Sequence, residues 1–228
     1  MLEAPGPGEV RMLDALHSRG EISVFHAALT KVRSSPKAMA LVLASVAAPL
    51  LRLTRCPNFV VHVYYDSSAG KTVVQEVAAA IWGDPRPDAG LIQTWNSTVV
   101  GLEQRAGFCS DLPLMLSEVR TMGRDRDLER TIYMLVEGQG KTRGDRSGGT
   151  RVQQSWRTVV VSTGETSLSA ASSYTGPAVR ALEIFGNLLG HLDGDAVVEL
   201  ERTVRDNYGL VGVKPYIPLI ARAISVQY

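Results

Sequence analysis

Asp66-Ser-Ser-Ala-Gly-Lys-Thr72 is the segment with the clearest chemical content. A turn ending in Gly-Lys-Thr between a β-rich run and a helical run is what binding a phosphate requires. Backbone N–H groups and the N-terminus of the following helix face the anion, and Gly70 lets the chain come close. Lys71 has the reach to meet the β- and γ-phosphates of a nucleotide, and the Thr72 hydroxyl can take a Mg²⁺ coordination position. Asp66, Ser67, Ser68 and Ala69 complete the cradle, so ATP and Mg²⁺ are the expected cofactors. The pattern GxxxxGK[ST] asks for glycine at position 65, where this chain has Tyr65. A bulky residue there resists unusual backbone angles and crowds the phosphates. The bland alternative is a polar turn with a chance Gly-Lys-Thr.

A second element is Asp111-Leu-Pro-Leu-Met-Leu-Ser-Glu118, an apolar strand ending in a polar pair. In ATPases with such a loop, the strand next to it usually ends in Asp-Glu. The aspartate holds the metal through water and the glutamate orients the attacking water. Glu118 is present, and Ser117 stands at the aspartate position. A serine can hydrogen-bond a metal-bound water but brings no charge, so Mg²⁺ is expected to be held less well. The alternative is a strand end with an exposed Glu118.

A third element is basic. From Lys141 to Arg157 the cations are Lys141, Arg143, Arg146, Arg151 and Arg157, and the one acid is Asp145. Gly138, Gly140, Gly144, Gly148 and Gly149 punctuate the run, which fits a mobile hairpin. Phosphate contacts need only positive charge and reach, so backbone binding rather than base readout is indicated. A solvated loop is the alternative.

The elements that must position these groups alternate. Residues 24–55 read as one or two helices, with Ser34, Ser35 and Pro36 marking a start and Pro49 a kink or end. Strands are expected over Phe59–Tyr65, Leu91–Thr94, Leu112–Leu116, Arg157–Ser162 and Ala181–Phe185. Helices are expected over Thr72–Trp82, Thr98–Arg105, Leu128–Glu137, Ala196–Asn207 and Ile217–Ser225. Apolar strands alternating with helices imply a parallel sheet covered on both faces. The expected organisation is a helical flank over residues 1–57, a core over 58–186 and a C-terminal helical segment, a partial lid, over 187–228.

Composition removes several classes. The 228 residues carry 24 Lys+Arg against 23 Asp+Glu, which excludes a uniformly basic nucleic-acid binder but leaves a local patch open. Cys56 and Cys109 cannot form a disulfide framework, and His17, His26, His62 and His191 show no paired ligand spacing. A metal site built from protein side chains alone is not expected. The longest apolar run, Ala38 to Leu53, is about 16 residues against the roughly 20 a membrane span needs. With no signal peptide at the N-terminus, a soluble, cytoplasmic protein is expected. His62 reads as a hydrogen-bonded core residue, Trp82, Trp95 and Trp156 as packing groups, and Cys109 as inert.

Taken in order along the chain, these segments resemble the helicase-like ATPase family catalogued as domain of unknown function 927. The resemblance rests on His62-Val-Tyr-Tyr-Asp-Ser-Ser-Ala-Gly-Lys-Thr72, Ile81-Trp-Gly-Asp-Pro85, Trp95-Asn96 through Leu102-Glu103, and Asp111 to Glu118. It continues through Tyr133-Met-Leu-Val-Glu-Gly-Gln-Gly-Lys-Thr-Arg143, Trp156 through Ser162-Thr-Gly-Glu165, and Gly176-Pro-Ala-Val-Arg-Ala-Leu-Glu-Ile184. That family occurs in replication proteins of phages and mobile elements and is similar to AAA+ ATPases. Tyr65 and Ser117 depart from the general ATPase pattern.

The resemblance implies a three-layer P-loop NTPase sheet, AAA+ or RecA-like, with helical flanks. It implies that strand Arg157–Ser162 lies beside the phosphate-loop strand, putting Ser162 or Thr163 near the γ-phosphate. It also implies that Arg180 acts in trans on a neighbouring subunit of a homo-oligomeric ring; an ion pair, with Glu183 for example, is the alternative. In similar ring helicases a hairpin at the position of the basic segment follows single-stranded DNA in the pore. Arg202, Arg205 or Arg222 could sense nucleotide from a lid. The expected function is an ATP-hydrolysing helicase or translocase module from a phage or mobile element. The alternatives are a non-hydrolysing module acting in DNA binding or assembly, and a small-molecule phosphotransferase.

Overall fold

Four helices precede the first strand in the computed structural model, which describes residues 6–67, 70–119, 125–142, 144, 153–170 and 180–212. They are α1 (Pro7–Ala15), α2 (Ile22–Arg33), α3 (Pro36–Ala47) and α4 (Leu50–Thr54). The Ser35 hydroxyl caps α3 by accepting from the Ala38 N–H, with Pro36 at the first helical position. Pro49 separates α3 from α4, as expected of a residue that cannot donate into a helix. Then follow β1 (Phe59–Tyr64), α5 (Lys71–Ala80), β2 (Ile92–Thr94), α6 (Val99–Phe108), β3 (Leu114–Ser117) and α7 (Asp125–Glu137). β4 (Val159–Gly164), β5 (Ala181–Phe185) and α8 (Gly194–Asp206) complete the described chain.

All strand pairs are parallel, in the order β2-β3-β4-β1-β5. The central pair is rich in β-branched apolar residues: Val60 and Val61 of β1 pair with Val160 and Val161 of β4, and Val63 and Val159 are buried beside them. Both faces of a parallel sheet must be covered. α3 and α5 lie on one face, with α8 stacked against α5 and α2, while α6 and α7 pack together on the other, α7 against β1. Apart from Thr72, every residue of α5 is buried, which places the helix between sheet and outer helices. The fold is thus a parallel sheet covered on both faces, as the alternation of elements implies, in the three-layer α/β arrangement of the P-loop type that the resemblance implies.

Two details differ from expectation. β4 lies beside β1, as the resemblance implies, and so separates β3 from it; the strand ending in Ser117 is one strand further from the loop. β3 and β4 also each begin two residues later than expected. Leu112 closes a turn on the Cys109 carbonyl, and the N–H groups of Arg157 and Thr158 are taken by the Ser110 hydroxyl and the Asn58 side-chain oxygen. The helix expected over Ile217–Ser225 lies outside the described residues.

Candidate functional site

The chain leaves β1 at Tyr64 and turns into α5 at the C-terminal edge of the sheet, where ligands of open α/β sheets bind. Gly70 makes the turn with φ of +74°, a left-handed conformation that costs a side-chain-bearing residue about 1 kcal/mol or more. A Cβ there would also lie 2.8 Å from Cγ of Leu189, which packs over the loop from beyond β5. Gly70 has no side chain with which to cap α5, so the helix's first N–H groups are not covered by their own cap residue. Lys71 is buried, and its Nζ donates to the carbonyls of Tyr65 (2.7 Å) and Asp66 (2.6 Å). Thr72, Asp66 and Ser67 are exposed, while Ser68 and Ala69 lie outside the described residues.

Tyr65 occupies the position where the pattern has glycine, yet it is not among the residues with positive φ. Its N–H donates to the Gly164 carbonyl at 3.3 Å, extending the β1–β4 pairing by one residue. Its ring packs edge-on against Phe185 of β5, 5.1 Å between centroids, beside Tyr64 at 5.3 Å from the same ring. The tyrosine therefore joins an aromatic group at the sheet edge.

Leu116 pairs with Ser162 and Val63 with Thr163, so Ser117 and Thr163 stand level at the same edge as the loop. The Ser117 hydroxyl donates to the Gln93 carbonyl at 3.2 Å. Glu118 follows, exposed, with φ of +57°. Such an outlier costs a non-glycine residue about 1–3 kcal/mol. Beneath them sits a residue that the motif reading missed. Gln75 is fully buried; its Nε2 donates to the carbonyls of Leu116 (3.1 Å) and Val161 (3.2 Å). Its Oε1 accepts from the Thr163 hydroxyl at 3.2 Å. The available signal was a Gln75-Glu76 pair inside an otherwise apolar helix.

Ser162 and Thr163 point to opposite faces, as neighbours in a strand must. Thr163 faces α5, whereas the Ser162 hydroxyl lies 2.8 Å from His62 Nδ1 and accepts from Trp95 Nε1 at 3.0 Å. His62 Nε2 meets the Thr166 carbonyl at 2.9 Å, which requires the proton on Nε2 and makes Nδ1 the acceptor for Ser162. Burial pushes the His62 pKa down and the Thr166 contact opposes it in part, so the ring is neutral. This chain of bonds ties β2, β1 and β4 together and makes His62 the core histidine the sequence suggests.

The Arg180 guanidinium lies over the Tyr133 ring of α7, 4.4 Å from its centroid. Glu183 accepts from the backbone N–H groups of Leu168 (2.8 Å) and Ser169 (3.1 Å). Arg205 of α8 pairs with Glu76 of α5, which is fully buried, through Nε (2.7 Å) and Nη2 (2.6 Å). Arg202 is exposed and Arg222 lies outside the described residues. The Cys109 thiol is buried and pushed up to about 12 by desolvation. Iodoacetamide at about pH 8 is expected to alkylate exposed Cys56 and spare Cys109 in the folded chain. Two adducts by mass spectrometry would contradict this.

The basic segment springs from the opposite edge. Gln139 and Ser155 form an antiparallel bridge, Gly140 N–H donates to the Gln154 carbonyl (2.8 Å) and Trp156 N–H to the Gly138 carbonyl (2.9 Å). Asn58, just before β1, fixes this root by donating to the carbonyls of Leu135 (3.2 Å) and Trp156 (3.3 Å). A six-residue strand separates the root from the Gly70–Thr72 turn, about 20 Å. Lys141 is exposed at the root. Arg143, Arg146 and Arg151 lie outside the described residues.

Among the described residues no group of three or more His, Cys, Asp or Glu is placed to hold a metal, and no helix is long and apolar enough to cross a membrane. The profile of the family described as domain of unknown function (DUF927) matches residues 7–155. A comparison with curated proteins gives no match. A solved structure described as the active helicase Cch of SCCmec type IV aligns with a TM-score of 0.70 at 22% identity, covering 92% of this chain and 40% of its own. That likeness is one of fold, and this chain spans two-fifths of that neighbour's length.

Proposed function

We propose, from the premise that this chain belongs to the family described as domain of unknown function 927, that it is the ATP-driven module of a DNA helicase or translocase of a phage or mobile element. The observation that carries the reading is the strand order. With β4 between β1 and β3, the Gly70–Thr72 turn, Glu118 and Thr163 gather at one edge of the sheet. The similarity in fold to a protein described as an active helicase supports it.

In this reading the N-terminus of α5 and Lys71 bind the phosphates, Lys71 exchanging its loop carbonyls for phosphate oxygens. Thr72 and, more weakly, Ser117 would hold Mg²⁺, which when bound neutralises charge on the phosphate oxygens. Glu118 orients and deprotonates the attacking water, and Thr163, on the α5 side, is the better placed of the two sensor candidates. Arg180 would act on a neighbouring subunit after leaving Tyr133. Lys141 and the arginines beyond it would follow the DNA backbone. Positioning and charge supply the rate, since phosphoryl transfer asks little covalent chemistry of the protein. The test is steady-state ATP hydrolysis with Mg²⁺, with and without single-stranded DNA, beside Lys71→Ala. Turnover that DNA stimulates and the variant lacks is the expected result; no turnover above the variant sinks the reading.

A second reading, nucleotide binding without hydrolysis, is favoured by one observation: Ser117 is neutral and its hydroxyl is committed to the Gln93 carbonyl. It predicts that Tyr65→Gly with Ser117→Asp turns a chain that only binds into one that hydrolyses, by at least about tenfold over background in the same assay. If wild type already turns over, the second reading is wrong.

A further inference from the structure

We infer that Gln75 is a positioning residue that sets the distance between the phosphate-binding and water-activating halves of the site, an inference resting on the ATPase reading above. Gln75 lies one turn beyond Lys71 on the same face of α5. Its side-chain amide uses both donors and its acceptor across two strands. The donors hold the carbonyls of Leu116, immediately before Ser117 and Glu118, and of Val161, two residues before Thr163. The acceptor holds the Thr163 hydroxyl. One fully buried side chain thus links the helix that carries Lys71 and Thr72 to both strands that carry the remaining chemistry.

Packing alone would not select glutamine here. An unbranched apolar side chain such as methionine fills the same volume with no polar group to satisfy. What only the amide supplies is a fixed register between α5 and the ends of β3 and β4. Without it α5 is free to settle against the strands by apolar contact, which is non-directional. A displacement of about 1 Å between a bound phosphate and the group activating water is enough to cost a hundredfold in rate. Binding, which depends on the loop and the α5 N-terminus, depends far less on that register.

The test uses the whole chain as wild type, Gln75→Met and Gln75→Asn, the last keeping an amide one methylene too short to span both carbonyls. Binding of Mg-ATP is measured for affinity and stoichiometry, and turnover is expressed per bound nucleotide, so that a smaller folded fraction does not register. Affinity is expected to stay within about threefold of wild type while turnover per bound nucleotide falls about ten- to a hundredfold. Should Gln75→Met fail to fold, Gln75→Asn carries the same expectation. Unchanged turnover per bound nucleotide, or affinity and turnover falling by the same factor, overturns the positioning role alone. A wild-type chain that does not hydrolyse ATP, whether or not it binds the nucleotide, overturns the ATPase reading, and this role falls with it.

Discussion

Lys71→Ala is expected to lower ATP turnover by about 10²–10³-fold and to weaken nucleotide binding as well. In the proposed reading the lysine has two jobs. Its Nζ holds the carbonyls of Tyr65 and Asp66, which gives the loop its shape, and the same ammonium would meet a phosphate bound at the turn. Removing it loses a loop staple and a phosphate donor together. Lys71→Arg keeps the charge, but a planar guanidinium does not fit between two carbonyls spaced for a compact ammonium. This variant is therefore expected to retain part of the binding and to lose turnover almost as fully as Lys71→Ala. Nucleotide titration and steady-state hydrolysis on the same preparations measure both. If Lys71→Ala retains more than about a third of wild-type turnover, Lys71 is not the phosphate ligand.

What was legible beforehand follows from how each feature is encoded. The turn before α5 is local: Gly70, Lys71 and Thr72 are adjacent, and a strand-to-helix junction shows in the switch of periodicity around them. The strands were legible because Val60, Val61 and Val159 to Val161 are apolar runs of a length typical of buried parallel strands. The positioning roles of Gln75 and Asn58 were not legible, since their partners are mostly backbone groups of distant segments, and backbone groups carry no residue-type signal. The place of Tyr65 was equally hidden. Its bulk looked like an obstacle in the loop, whereas its ring turns to Phe185, contributed by a strand far along the chain. Strand order, too, is a property of pairing between segments remote in sequence: the place of β4 beside β1 came from the family resemblance, and the motif itself did not say that β4 separates β3 from the loop strand.

The second large effect concerns stability. Arg205→Ala is expected to destabilise the fold by about 2–3 kcal/mol at neutral pH. That is less than the loss of a wholly buried partner would bring, because the Arg205 side chain is 35% exposed and partly screened. The substitution strands the Glu76 carboxylate, which is fully buried between α5 and α8. Burial already pushes the Glu76 pKa up, and Arg205 pulls it part of the way back. An acid whose folded pKa is raised binds more protons folded than unfolded. Its contribution is therefore most favourable below the ordinary carboxylate value and declines as pH rises through the raised folded value. Without Arg205 the folded value rises further, so the penalty should be large at about pH 8 and much smaller at about pH 5, where a protonated Glu76 can stay buried. Glu76→Gln in the Arg205→Ala background should restore most of the loss at the higher pH. Urea denaturation of the three proteins at both pH values measures this. A loss independent of pH, or one the second substitution leaves unchanged, would show that Arg205 stabilises through its alkyl packing and its Glu201 contact rather than through the buried charge. The same experiment bears on the site, because Glu76 adjoins Gln75 in the helix that begins at Lys71. If α8 holds α5 in place through this pair, strengthening or breaking it shifts the helix on which the Gly70–Thr72 turn stands.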